Sequence, residues 1–143
     1  MSADPTLARE RANPSAFQEH MGYELLAWDP DRAVLGYTIQ PEHMNRTGRL
    51  HGGVVATLLD TTMGYSGVHA DGDAGPRSCV TLSLTVNFVG AVSEGRLTIE
   101  ARRTGGGKTI FFAEGNVRDG AGNLIATATG SFRYITRKDV SST

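Results

Sequence analysis

From Leu50 to Ala70 the chain reads LHGGVVATLLDTTMGYSGVHA, and Asp60 is its only formal charge. A helical segment that is apolar nearly all round must be enclosed by other structure. The run is long enough to span a bilayer. Asp60, three Thr, Ser66, two His and four Gly nevertheless make it too polar for lipid contact. The reading is therefore a buried helix from Gly53 to about Val68. A chain of 143 residues suits a single domain around it. The expected layout is one domain over residues 1–143, with 1–16 as an N-terminal extension and 138–143 as a frayed tail.

The flanking sequence supplies strands. Residues 3–20 are polar, with Pro5 and Pro14 as helix-start signals for one or two short helices. Met21–Trp28 and Arg32–Gln40 read as strands around the turn Asp29-Pro30-Asp31, and Pro41–Arg49 as a loop. Beyond the helix, Asp71–Arg77 is a connection. Cys79–Val89, Arg96–Thr104, Thr109–Arg118 and Leu124–Ile135 alternate as strands between turns at Gly105-Gly106-Gly107 and 119–123. This order predicts an α+β domain with an antiparallel meander after the helix.

Charge narrows the partners. Fourteen basic and 15 acidic residues give a net charge of −1. No basic block stands ready for nucleic acid or an anionic membrane surface. Cys79 is the single cysteine, which excludes an intrachain disulfide or a thiolate zinc cluster. His20, His43, His51 and His69 lack metal-ligand spacing, so no metal is expected. The first twenty residues contain no apolar run, and the expected setting is cytoplasmic.

Asp60 shares a helix face with Ala56 and Gly64, and Gly67 lies one turn beyond. Glycine inside a helix costs about 1 kcal/mol relative to alanine, so these two imply close approach by a backbone or ligand. A carboxylate there is costly unless it is paired or hydrogen-bonded. Either Thr57, Thr61 or an Arg across the sheet satisfies it, or it is held in a cleft as a base or nucleophile. Burial at a subunit interface serves both readings. At the helix start, His51-Gly52-Gly53 combines unsatisfied N–H groups with glycines that let an oxygen approach. The amide of Gly52 or Gly53 is thus a candidate oxyanion donor. Ordinary turn chemistry, with His51 as a structural hydrogen-bonding residue, is the plainer reading.

Asn45-x2-Gly48-x-Leu50-His51-Gly52-Gly53, followed by Asp60, resembles the hotdog-fold acyl-CoA thioesterases, most closely the PaaI-like branch of the phenylacetate pathway. The resemblance runs from about Phe17 to Tyr134. It implies a long central helix wrapped by a curved antiparallel sheet. It also implies hydrolysis of aryl- or medium-chain acyl-CoA thioesters to free acid and CoA, without a cofactor. The implied assembly is a homodimer or homotetramer in which Asn45 and His51 of one subunit face Asp60 of another.

Position by position, the resemblance makes Asp60 the base or nucleophile and the Gly52 amide the donor that polarises the carbonyl. Asn45 becomes the loop amide that positions water or thioester, supported by His51, and Thr81 a hydroxyl that helps place water. Gly106-Gly107-Lys108 matches a turn near the CoA phosphates, so Gly107 and Lys108, together with Gly53 at the helix start, are the CoA-binding candidates; a plain hairpin turn is the competing reading for 106–108. Arg46, Arg77, Arg102 and Arg103 are further candidate nucleotide contacts. Two departures stand out. Val89-Gly90-Ala91 follows Asn87-Phe88 where many relatives carry Leu-Arg-Pro, and Lys108 brings a point charge where relatives often place an Arg fork.

Two other functions compete with hydrolysis. A hotdog hydratase or dehydratase would pair a His with a carboxylate, which here requires His51 and Asp60 from different subunits. A non-catalytic acyl-CoA sensor would have no need of a carboxylate at position 60. Leu59, Met63, Tyr65 and Phe88 are the candidate acyl-pocket liners, and each could equally be core.

Overall fold

The computed structural model describes residues 4–69 and 75–135. The tail read as frayed and part of the Asp71–Arg77 connection lie outside the described residues. Two short helices open the chain. In α1 (Pro5–Ala12) the Asp4 side chain accepts the Thr6 amide, and proline holds the first turn. In α2 (Ala16–Met21) the Ser15 hydroxyl accepts the Gln18 amide. Gly22 ends α2 at φ 83°, a left-handed cap. That cap is why β1 (Glu24–Asp29) starts after the predicted Met21. The chain continues through β2 (Arg32–Thr38), a 3-10 turn at Pro41–His43, and α3 (Gly52–Val68). The strands β3 (Ser78–Phe88), β4 (Arg96–Gly106), β5 (Ile110–Arg118) and β6 (Leu124–Ile135) follow.

The six strands form one antiparallel sheet in the order β1-β2-β4-β5-β6-β3. The predicted meander holds for β4-β5-β6. However, β3 lies at the far edge beside β6, not beside β4. Residues 89–95 carry the chain across the gap. The amides of Val89 and Gly90 donate to the Ile125 carbonyl, Leu50 donates to Val92, and Ile39 donates to Gly95. This crossing passes the loop that leads into α3 and ties it to both ends of the sheet.

The sheet curves around α3, the arrangement expected of a hotdog fold. Leu58, Leu59 and Met63 of the helix are fully buried among Leu35, Tyr37, Leu97, Ile99, Phe111, Val117 and Phe132. The two buried helix hydroxyls turn inward on their own backbone. Thr62 donates to the Leu58 carbonyl and Ser66 to that of Met63, both at 2.6 Å. Gly67 receives the Phe111 ring, whose nearest carbon lies 2.2 Å from where a Cβ would stand. Gly64 faces Cys79 Sγ at 3.6 Å. The close approach expected of the two glycines is met at Gly67 by the molecule's own sheet, while Gly64 makes only ordinary contacts.

Helix α1 packs near β1 and the last turns of α3. Tyr65 donates its hydroxyl to Glu10 at 2.7 Å, and Trp28 donates its indole N–H to the Tyr65 carbonyl at 2.8 Å. Burial, reinforced by the hydrogen bond and charge of Glu10, pushes the Tyr65 phenol far above its usual range. Leu59, Met63 and Tyr65 are thus structural, and Phe88 alone of the four candidate liners is broadly exposed.

Candidate active site

Asp60 lies two turns into α3 and is half-buried. Among the described residues its hydroxyl partner is neither of the neighbouring threonines, contrary to the plain reading of the sequence. Thr57 donates instead to the Gly53 carbonyl at 2.9 Å. The partner of Asp60 is Thr81 on β3, whose hydroxyl donates to Oδ1 at 2.6 Å. Among the described residues no Lys or Arg forms an ion pair with this carboxylate.

A bulge in β3 makes that contact possible. Thr81 pairs with Phe132 and Ser83 with Ser131, and the register shifts between them with Leu82 as the extra residue. Strict alternation would send Thr81, Ser83 and Thr85 to one face. With the bulge, Ser83 stays on the outer face, bonded to the Ser131 hydroxyl, while Thr81 turns inward to the helix. The same carboxylate charge acts on Cys79, whose thiol is raised to about 11, chiefly by burial and secondarily by Asp60.

The second group of residues gathers at the N-terminus of α3. His51 is the N-cap, and its Nδ1 accepts the Gly53 amide at 2.8 Å. Accepting at Nδ1 requires that nitrogen to be unprotonated, so a neutral His51 carries its proton on Nε2. Val54 and Val55 both donate to the His51 carbonyl. Of the two candidate oxyanion donors, Gly53 is thereby committed to the cap. No protein acceptor engages the Gly52 N–H among the described residues.

Asn45 organises the loop before the helix. Its Oδ1 accepts the Thr47 amide at 2.9 Å, the Thr47 hydroxyl at 2.9 Å and the Arg49 amide at 3.0 Å. That pattern fixes the orientation of the amide and leaves Nδ2 as a donor. The His51 amide donates to the His43 carbonyl, while the His43 ring bonds and stacks on the buried Tyr37. The loop is thus held from both sides.

These two groups do not meet within one chain. Gly52 and Asp60 are eight positions apart on a continuous helix, about 12 Å along its axis and about 80° around it. A base and an oxyanion donor acting on one carbonyl must each come within about 3 Å of the reacting group. His51 and Asp60 are separated in the same way, so these two do not pair inside the subunit.

The candidate phosphate turn lies elsewhere. Gly107 donates its amide to Ile110 at 2.9 Å, closing the β4–β5 hairpin. Gly106 has φ 129° and no room for a side chain, since a Cβ would stand 2.5 Å from the Ile110 carbonyl oxygen. Arg77 lies over the Tyr134 ring at 3.4 Å and donates to the Lys108 carbonyl at 3.1 Å, which holds its guanidinium against this turn. Arg102 bonds Glu114 across neighbouring strands at 2.8 Å. Arg103 is half-buried, and Arg46 is exposed in the Asn45 loop. Among the described residues no cluster of three or more His, Cys, Asp or Glu could hold a metal. No described helix is long and apolar enough to cross a membrane.

A curved antiparallel sheet around a helix that carries one carboxylate, with glycines at the helix start, defines a hotdog protein with an enzyme-like site. The sequence pattern of the thioesterase superfamily matches residues 47–126, the stretch that holds His51, Gly52, Asp60 and Thr81. A protein of Saccharolobus solfataricus, provisionally named an esterase, is 32% identical over 139 residues, covering 96% of both chains. The Escherichia coli PaaI protein of the phenylacetic acid degradation operon superposes with a TM-score of 0.75 at 20% identity, over 85% of this chain and 86% of that one. A Streptococcus mutans protein solved with acetyl-CoA bound superposes with a TM-score of 0.70 at 20% identity, over 79% of this chain and 88% of that one. The chain belongs to the thioesterase superfamily.

Proposed function

We propose that this protein hydrolyses acyl-CoA thioesters to the free acid and CoA, at sites completed between two copies of the chain. The observation that carries the reading is the Thr81–Asp60 pair. It is a helix carboxylate held by one hydroxyl at 2.6 Å, with a strand bulge spent on making that contact. A structural carboxylate has no need of such a device, whereas a base must be oriented without being neutralised by a cation. The acetyl-CoA bound to the Streptococcus mutans protein of the same fold supports the ligand class.

In this reading the thioester carbonyl oxygen accepts the Gly52 N–H at the positive end of α3, with Asn45 Nδ2 as a second donor. His51 keeps the helix start in shape through its bond to Gly53. Asp60 of the other copy, oriented by Thr81, takes a proton from water through Oδ2. The water oxygen bonds to the carbonyl carbon, and the electron pair of the C=O bond moves to the oxygen facing Gly52. Collapse of this tetrahedral species breaks the C–S bond, and the proton on Asp60 passes to the departing CoA thiolate. Lys108 and Arg77 at the β4–β5 turn supply positive charge for the CoA phosphates, and Gly53 flanks the thioester end.

The 12 Å separation is the reason for the second copy. Strand β3 is well placed to recruit one. It is a sheet edge of 11 residues with no buried position, and it exposes Val80 and Leu82. Long apolar edges of this kind are left open only where another strand covers them.

The test is release of free thiol from a panel of aromatic and C4 to C16 acyl-CoAs, with wild type and Asp60→Asn side by side. The expected result is turnover on some members and a loss of at least about 100-fold in kcat with Asp60→Asn, the scale of general-base assistance. Wild-type rates in Asp60→Asn would remove Asp60 from the mechanism. Bound CoA esters that are never hydrolysed would make the protein a sensor.

A further inference from the structure

We infer that Phe88 is a specificity-determining residue whose ring forms the wall of the acyl subsite and limits which acyl groups can be seated. The inference rests on the hydrolase reading and deepens it. Phe88 ends β3 and pairs with Ala126, a buried inward position, so its side chain leaves the sheet on the helix side. The ring reaches the first residue of α3. A Cβ built on Gly52 would stand 3.3 Å from both Cε1 and Cζ of Phe88. Glycine at position 52 and the ring at position 88 are therefore matched in space. Even a methyl at 52 would press on the ring.

The ring is also open. Phe88 is 57% exposed, although an aromatic side chain normally buries most of its area. One part of it abuts the helix start, and the rest presents apolar surface beside the Gly52 amide. A carbonyl oxygen accepting that N–H at about 2.9 Å places the carbonyl carbon roughly 4 Å from the nitrogen. The carbons that follow then fall within van der Waals reach of the ring. Acyl bulk that needs the space held by the ring is rejected, and acyl surface that lies along it is held.

Phe88→Ala removes this wall, and Phe88→Leu keeps apolar bulk without a flat ring. The readout is kcat/KM for acyl-CoAs from C4 to C16, with oligomeric state measured by light scattering on the same samples. For Phe88→Ala we expect the ratio of long-chain to short-chain kcat/KM to rise about tenfold or more, since single-methylene differences in apolar pockets discriminate by about 10–200-fold. Phe88→Leu should fall between that variant and wild type, with assembly unchanged in both. An unchanged profile in an active, assembled Phe88→Ala variant overturns the inference and leaves the hydrolase reading standing. A uniform fall on every substrate, or loss of assembly, also overturns it, because the ring would then serve catalysis or the interface. If wild type hydrolyses none of the panel, the hydrolase reading itself fails and takes this inference with it.

Discussion

Gly64 and Gly67 look alike in the sequence, yet the structure separates them sharply. Both sit inside α3, so replacing either by alanine gains about 1 kcal/mol of helix propensity. At Gly64 the new methyl would lie 3.6 Å from Cys79 Sγ and 3.9 Å from Phe132, which are ordinary contacts. At Gly67 it would lie 2.2, 2.3 and 2.4 Å from three carbons of Phe111. Restoring a 3.4 Å contact requires the ring to move by about 3.4 − 2.2 = 1.2 Å. Phe111 is fully buried and stacked on Phe132 at 5.0 Å and against Tyr134 at 4.9 Å, so it has nowhere to go. Overpacking of this kind costs about 1–3 kcal/mol. The helix gain cancels between the two variants, so Gly67→Ala should be less stable than Gly64→Ala by about 1–3 kcal/mol. Urea unfolding at constant protein concentration measures this, with m values checked for equality. Equal midpoints for the two variants would refute the packing argument.

Two further predictions concern the site. Asn45→Asp keeps an acceptor for Thr47 and Arg49 but loses the Nδ2 donor, so unfolding should be unchanged while kcat falls about 100- to 1,000-fold, the cost of one oxyanion donor. Asn45→Ala should match that loss and also lower stability by about 1 kcal/mol, because the loop acceptor is gone; a fully active Asn45→Asp variant would exclude Nδ2 from the chemistry. For Cys79, the thiol raised to about 11 should react slowly with iodoacetamide at pH 8, and faster in Asp60→Asn, which removes the carboxylate charge. Because the folded pKa lies above that of the unfolded chain, this thiol contributes stability below about pH 9 that is lost as pH rises towards 11. An Asp60→Asn variant alkylated no faster than wild type would contradict the coupling.

The central helix was legible because a nearly uncharged run has few folds open to it, and its predicted limits differ from the observed ones by one residue. Its neighbours were legible as strands through alternation and turn residues. The strand order was not, because β3 alternates equally well beside β4 or β6. Only the crossing of residues 89–95 past Leu50 separates the two. Thr81 shows the same limit at the site. Alternation alone groups it with Ser83 and Thr85, and the bulge at Leu82 that turns it to Asp60 has no local signal such as glycine. The choice between Gly52 and Gly53 as donor depended on where the His51 ring folds back. Gly64 and Gly67 pointed to close packing, but what packs there depends on β3 and β5, distant in the chain.

The claim that each site needs two copies is tested most directly by mixing inactive subunits. Asn45→Ala and Asp60→Asn, carried on differently tagged chains, are co-expressed, and the mixed dimer is isolated through both tags. In a mixed dimer one interface site carries both lesions and the other carries neither. The account predicts about half the wild-type kcat per dimer, from two parents that are each nearly inactive. If Asn45 and Asp60 of the same chain formed the site, every site would carry one lesion, and a mixed dimer as inactive as its parents would contradict the account.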